Sequence, residues 1–239
     1  MPRGGKDFKP RNTGRRALKD EVLAVLRSDD VNRSLETLLK RPPMPIINIL
    51  FSLLLSHEPL IRWRAITVMG VAVSQLAREN LESARVVLRR MTWQLNDESG
   101  GIGWGCPEAM GEAAARDERL AEEFAHMLVS YVREDANFLE YEPLRAGAVW
   151  AIGRVAQGGS GCMADAIPHL LPSLGAKEPS LRAMAVWALG QLRAREAISE
   201  LASLQEDTTE VEIYEDDRIR HRQIRDLAGE ALGRILSSF

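Results

Sequence analysis

Apolar side chains recur every three to four residues along most of this chain, and the pattern itself repeats about every 40 residues. An apolar residue followed by glycine marks the end of each of five repeats, at Gly70, Gly111, Gly153, Gly190 and Gly233. The apolar spacing predicts amphipathic helices, and a repeat of this length is typical of stacked helix pairs. We therefore expect an all-α superhelix of about five helix pairs.

Alignment of the five repeats on these glycines produces columns of similar residues. The residue nine before the glycine is Leu or Ile, the residue five before it is small, and the residue just before it is Met, Ile or Leu. These offsets share one face of a helix, which we expect to be buried. Eight before the glycine stand Arg62, Arg145, Arg182 and Arg225, whereas Gly103 takes this place in the second repeat. We expect the arginines to bond acidic or carbonyl groups of a neighbouring repeat.

The third and fourth repeats show the motif most fully, as LRAGAVWAIGRVA and LRAMAVWALGQLR. An apolar-Arg-x-x-Ala start and an Ala-Leu-Gly-x-Leu finish resemble the HEAT repeat, in the short form of phycobilisome-lyase-type HEAT-like repeat proteins. The resemblance covers about residues 43–236. It implies an α-α superhelix of the armadillo and HEAT kind and says little about activity.

The domain organisation follows from the repeat. We expect a disordered basic tail over residues 1–15 and a single repeat domain over 16–239. Within that domain an N-terminal cap covers 16–42 and the helix pairs cover 43–236. One segment departs from the pattern: EVEIYEDDRIRHRQI alternates apolar and polar residues, which favours a small β-hairpin near residues 209–222. A long helix from Thr208 is the alternative, because the turn lacks glycine.

Composition narrows the class of protein. The 239 residues are 45% hydrophobic and 27% charged, as in proteins with a packed core. Two cysteines and four isolated histidines argue against a disulfide scaffold and a multi-histidine metal site. No apolar run approaches the roughly 18 residues of a membrane-spanning helix, and the basic N-terminus lacks the apolar region of a secretory signal. We expect a cytoplasmic protein with no membrane segment.

Charge is divided unevenly along the chain. Residues 1–19 carry seven Lys or Arg and one Asp, a net charge of +6, so the remaining residues carry −9 of the chain's total of −3. A groove for nucleic acid would be lined with Lys and Arg. The acidic body therefore disfavours nucleic acid as a partner.

Tryptophan is over-represented among the few aromatic residues, with five Trp beside five Phe and three Tyr. The positions seven and three residues before the repeat glycine, and the position one residue after it, should lie opposite the buried face and line the concave surface. Four tryptophans fall there: Trp63, Trp104, Trp150 and Trp187. At helix spacings of about 8–10 Å they would form a ribbon roughly 30 Å long. The alternative is that the rings only pack over neighbouring helices.

The second repeat contains the most unusual segment, ESGGIGWGCPE. Its glycines, Gly100, Gly101, Gly103 and Gly105, precede a helix predicted to begin at about Cys106, so the loop can offer backbone N–H groups to an anion. A bend without function is the alternative. Glu108 and Glu112 follow on the same concave face.

Candidates for catalysis are few. Arg154 occupies the position of Glu112 in the next repeat, which favours a cross-repeat ion pair over paired acid/base carboxylates. Cys106 falls in the small-residue column, so we expect it to be structural. No metal-binding motif or triad motif is present, although a triad assembled in space is not excluded. We predict no metal and no cofactor.

The sequence thus favours a non-enzymatic scaffold that binds a protein or peptide in a Trp-lined groove. The predicted groove comprises Trp63, Trp104, Glu108, Glu112, Trp150, Arg154 and Trp187. One alternative is a HEAT-like DNA glycosylase or DNA-binding protein, which uses aromatic and acidic concave residues. Another, implied by the resemblance, is a lyase or chaperone for a cofactor-bearing protein.

Overall fold

The computed structural model describes residues 13–96, 103–159 and 161–237. These ranges contain twelve α-helices and one β-hairpin. The helices are α1 (Thr13–Arg27), α2 (Val31–Leu38), α3 (Pro43–Leu53), α4 (Pro59–Glu79), α5 (Leu81–Leu95), α6 (Cys106–Ala114), α7 (Glu118–Ser130), α8 (Glu142–Gln157), α9 (Ile167–Leu170), α10 (Pro179–Gln191), α11 (Ile198–Ser203) and α12 (Ile224–Leu236). Within the described ranges, no helix has both the length and the apolarity needed to cross a membrane.

The helices stack as the repeat predicts. An inner row of α4, α6, α8, α10 and α12 packs side by side, and α3, α5 and α7 pack against it from outside. The small-residue column is buried throughout this row, including Ala65, Ala148, Ala185 and Ala228, each at 0% exposure. Burial of one continuous apolar face along the stack stabilises the superhelix. The predicted all-α superhelix is therefore confirmed.

Two outer segments are less regular than the sequence predicts. The apolar spacing of residues 161–174 predicts a single helix, but the chain forms 3₁₀ turns at Gly161–Ala166 and Leu171–Gly175 around the short α9. Pro168 and Pro172 explain the difference, since each removes an N–H that a continuous helix needs. The apolar spacing also predicts a helix over residues 195–204. In the structure this helix is shortened to α11, with a 3₁₀ turn on either side.

Two of the repeat arginines, Arg145 and Arg182, bond to the loop that precedes their own helix rather than only to a neighbouring repeat as predicted. Arg145 Nη1 donates to the Leu139 carbonyl at 2.7 Å, and Arg182 Nη1 donates to the Ala176 carbonyl at 2.6 Å. Arg182 also reaches the following repeat, where its Nε donates to Asp207 Oδ2 at 2.9 Å. These bonds fix the starts of α8 and α10 against the loops before them.

The predicted β-hairpin is present and precedes the last helix. Strand β1 (Glu210–Glu215) pairs antiparallel with β2 (Arg218–Gln223), and Glu215 faces Arg218 across a two-residue turn. The turn residues Asp216 and Asp217 have φ angles of +48° and +59°. Asp tolerates this left-handed region better than most residues, which explains how the tight turn forms without glycine.

Candidate functional site

Three tryptophans form one aromatic row on the inner helices. The rings of Trp63 and Trp150 meet edge to face, with centroids 5.0 Å apart, and the Trp150 and Trp187 rings stack at 5.9 Å. The row thus connects α4, α8 and α10. Trp150 is 8% exposed, whereas Trp63 and Trp187 are half-buried. Trp150 is therefore the packed centre of the row and the other two rings present its accessible surface.

The hairpin crosses the superhelix and extends this row. Its Tyr214 stacks on Trp63 with ring centroids 5.4 Å apart and planes 5° apart. Burial raises the pKa of the Tyr214 phenol, and the protonated hydroxyl donates to Asp217 Oδ1 at 2.9 Å. The C-terminal hairpin therefore rests on the first repeat, and Tyr214 adds a fourth ring to the row.

A buried guanidinium holds the tip of the hairpin against the N-terminal cap. Arg64 of α4 is 7% exposed. Its Nη1 donates to the carbonyls of Leu26 and Ser28 at 2.8 and 2.9 Å, and its Nη2 donates to the Asp217 carbonyl at 3.3 Å. One side chain thus joins the cap, the first repeat and the hairpin turn.

A cavity of about 480 Å³ lies between the hairpin and the inner helices. The helices contribute Trp63, Thr67, Glu112, Trp150, Arg154, Gln157, Met184, Trp187, Leu227 and Arg234 to its lining. The opposite wall is the continuous stretch 212–217 of the hairpin. This volume falls within the range of roughly 300–1,000 Å³ that is typical of ligand pockets. The concave surface is thus a partly covered pocket rather than an open groove.

The predicted ion pair between repeats is confirmed at the floor of this cavity. Arg154 Nε donates to Glu112 Oε1 at 3.0 Å, and Arg116 Nη2 lies 2.8 Å from Glu112 Oε2. The Glu112 side chain is 6% exposed. Because two guanidinium groups compensate this buried carboxylate, Glu112 and Arg154 hold the cavity floor in place.

Trp104 lies apart from the other concave tryptophans. Its ring meets Tyr141 edge to face at 5.6 Å, and it does not line the cavity described above. The reason is local: α6 begins only at Cys106, so the helical spacing that aligns the other tryptophans does not extend back to Trp104. The expected ribbon of four tryptophans is therefore a row of three, extended by Tyr214.

The glycine-rich segment is described only in part. Gly100 and Gly101 lie outside the described residues. Gly103 packs against Leu95, and Gly105 caps α6 with a φ of +73°. A left-handed residue here suits glycine. These two glycines let the chain turn sharply into α6.

Glu108 has a different environment from Glu112. Its Oε2 atom is buried and has no hydrogen-bond partner among the described residues, and the carboxylate fills the space beside the Cα of Gly147. Burial raises the pKa of Glu108 to about 7, although a backbone hydrogen bond and the charge of Arg62 lower it in part. Glu108 does not line the cavity, so it is separated from the predicted groove to which the sequence assigns it.

This raised pKa predicts a pH-dependent contribution of Glu108 to stability. The native state retains the proton while the unfolded state has lost it, so stability falls as pH rises from about 4.5 to about 7. Glu108→Gln removes this loss, which amounts to about 3 kcal/mol at most. We expect the variant to melt well above the wild type at about pH 8 and close to it at about pH 4. Thermal unfolding across this range tests the prediction, and a constant offset between the two proteins would contradict it.

The prediction that Cys106 is structural is confirmed. Its side chain is 1% exposed and its Sγ contacts Gln94 Oε1 at 3.3 Å. Burial raises the pKa of this thiol to about 12. A thiol that stays protonated at neutral pH is a poor nucleophile.

The repeat pattern does not place Arg64, Tyr214 or Asp217 at the site. The alternation in residues 210–223 indicated a hairpin but not the surface that it covers. The sequence contains one partial clue. Tyr214 and the acidic turn lie in a segment that lacks the apolar face of a repeat helix.

Comparisons with known proteins support the fold. Residues 142–192 match the family model described as HEAT-like repeat, and residues 181–207 match that described as PBS lyase HEAT-like repeat. These matches confirm the resemblance drawn from the repeat motif. An uncharacterized protein of Archaeoglobus fulgidus is 26% identical over 186 residues, which is 76% of this chain and 92% of that protein.

Two solved structures are similar in shape. An engineered protein from the Northeast Structural Genomics Consortium gives a TM-score of 0.53 at 15% identity, covering 92% of this chain and 97% of its own. A designed armadillo repeat protein in complex with the peptide (KR)4 gives 0.52 at 18% identity, covering 91% of this chain and 99% of its own. At these identities the likeness concerns the fold.

Proposed function

We propose that this HEAT-like repeat scaffold is non-enzymatic and binds a segment of a partner protein in the cavity between the hairpin and the inner helices. The observation that carries the proposal is the aromatic row of Trp63, Trp150, Trp187 and Tyr214 beside that cavity. Indole and phenol rings offer large, rigid contact areas and are enriched at binding hot spots.

The charges at the cavity favour a protein segment over nucleic acid. Its hairpin wall carries Glu212, Glu215, Asp216 and Asp217. Within the described part of the chain, two arginines line the cavity, Arg154, which is paired with Glu112, and Arg234, so carboxylates outnumber guanidinium groups in the lining. Phosphate groups need uncompensated Lys or Arg side chains, so this lining suits a peptide better. The designed armadillo protein that binds (KR)4 shows that a superhelix of this general shape accommodates a peptide.

Trp187 offers the clearest test, because it lines the cavity without being its packed centre. Binders are first selected with the wild-type protein from a displayed library of ten-residue peptides. Their affinity is then measured by fluorescence anisotropy for the wild type, Trp187→Ala and Trp93→Ala. Trp93 is a matched control, since it is 68% exposed on α5 and away from the cavity.

We expect Trp187→Ala to weaken peptide binding at least roughly tenfold, as for a hot-spot residue, and Trp93→Ala to leave it unchanged. Circular dichroism of both variants checks that they are folded at the assay temperature. Equal affinity of the wild type and Trp187→Ala, or a library that yields no binder, contradicts the proposal.

A further inference from the structure

Strand β1 has one edge paired with β2 and one edge that is open. Residues that flank a two-residue turn form a hydrogen-bonded pair, and such pairs then alternate along the ladder. Glu215–Arg218, Ile213–Arg220 and Val211–Arg222 are therefore the bonded pairs. The Ile224 N–H donates to the Thr209 carbonyl at 3.1 Å, which continues the same alternation. The backbone groups of Glu212 and Tyr214 consequently point away from β2.

These outward backbone groups are available for pairing. Among the described residues, no backbone or side-chain group forms a hydrogen bond with the N–H or carbonyl of Glu212 or Tyr214. Unpaired backbone groups of an edge strand are a ready template for another strand. The open edge is six residues long, which corresponds to about 20 Å of extended chain.

The open edge faces the cavity. Residues 212–217 all contribute to its lining, including neighbours whose side chains point to opposite faces of the strand. None of the described residues that line it comes from β2. A wall made of β1 and the adjoining turn, without residues of β2, is the wall expected when β1 is seen edge on. The lining contributed by the inner helices includes Trp63, Trp150 and Trp187.

We propose that an extended, basic segment of a partner protein binds as a third strand along the open edge of β1, in the cavity between that edge and the tryptophans of the inner helices. This inference rests on the proposed function and specifies its partner and its binding mode. Backbone hydrogen bonds to Glu212 and Tyr214 align the segment, and its side chains on one face pack against Trp63 and Trp187. Strand addition of this kind provides affinity through the backbone and selectivity through alternate side chains.

The composition of the hairpin indicates which strand would pair with β1. Glu210 and Glu212 are exposed on β1, and opposite charges on adjacent strands stabilise their pairing. On the paired edge, β2 places His221 opposite Glu212, and its Nε2 lies 3.9 Å from Glu212 Oε1. A segment with Lys or Arg opposite Glu210 and Glu212, and therefore at alternate positions, with apolar residues between them, complements the open edge.

Glu212→Pro tests the backbone contact directly. Proline removes the outward N–H of residue 212 and leaves every ladder bond to β2 intact, because edge strands tolerate proline where the N–H points away from the sheet. Glu212→Ala is the matched control, since it removes the same carboxylate and keeps the N–H. Both are measured with the library-selected peptides, and circular dichroism and melting temperature show that each variant is folded.

We expect Glu212→Pro to weaken peptide binding at least tenfold relative to Glu212→Ala, and the selected peptides to share alternating Lys or Arg. Equal affinity of these two variants overturns strand addition. If Trp187→Ala still abolishes binding in that case, the cavity remains the binding site and only the pairing mode is refuted. A library without binders refutes the proposed function itself.

Hydrogen exchange of the wild-type protein provides a second test that needs no substitution. The amides of Glu212 and Tyr214 should exchange fast in the free protein and become protected when a selected peptide binds. The amide of Ile213, which is already bonded to β2, serves as the internal reference. Binding without new protection at Glu212 and Tyr214 overturns the proposal.

Discussion

Replacing Trp150 with alanine should lower the free energy of unfolding by about 3–5 kcal/mol, as expected for a buried Trp. Trp150 is 8% exposed and contacts both neighbouring rings of the row, Trp63 at 5.0 Å and Trp187 at 5.9 Å. Its removal leaves a cavity between the rings of Trp63 on α4 and Trp187 on α10. Urea unfolding followed by circular dichroism measures the loss.

Trp93→Ala is the control for this experiment. Its side chain is 68% exposed, so we expect a change within about 0.5 kcal/mol. A small effect of Trp150→Ala, or similar effects of both substitutions, would show that the aromatic row is not a packed element. Because Trp150 supports the fold, its replacement is a poor probe of binding, and Trp187 is the better choice.

Gly111→Ala should destabilise the protein by about 1–3 kcal/mol through overpacking. A methyl group on Gly111 would lie 2.6 Å from the Cα of Ala151, so the α6 and α8 backbones would have to separate. The change in the urea midpoint measures this cost, provided that the slope of the transition is the same in both proteins.

At the corresponding glycine of the last repeat, Gly233, we expect substitution by alanine to change the stability in the opposite direction. A methyl group on Gly233 meets no atom within 4 Å, and alanine is a better helix former than glycine. Gly233→Ala should therefore stabilise α12 by about 0.5–1 kcal/mol. If both substitutions stabilise the protein, Gly111 is not required for the close approach of α6 and α8.

The architecture was predictable because each repeat encodes local, periodic information. The burial of Ala65, Ala148 and Ala185 follows from their spacing alone. The hairpin was also predictable, because residues 210–223 alternate with a period of two. Periodicity fails where the helix has not begun, which is why Trp104 does not join the row. It also fails at Pro168 and Pro172, where missing N–H groups divide the expected helix.

The position of the hairpin was not predictable by the same reasoning. The contact between Arg64 and Asp217 joins residues 153 apart in sequence, and no local pattern encodes that distance. The raised pKa of Glu108 arises in a similar way, because its carboxylate lies beside Gly147 of another helix. The first contact depends on the whole stack, which brings the first repeat against the hairpin of the last, and the second depends on the close packing of α6 against α8.

The central claim, that a partner segment lies between the hairpin and the inner helices, can be tested most directly through the indole N–H signals. The five tryptophans provide five reporters in a heteronuclear NMR spectrum, each assigned by a Trp→Phe variant. On addition of a selected peptide, we predict that the signals of Trp63 and Trp187 shift while those of Trp93 and Trp104 stay in place. Shifts confined to Trp93 or Trp104, with Trp63 and Trp187 unchanged, would contradict the account.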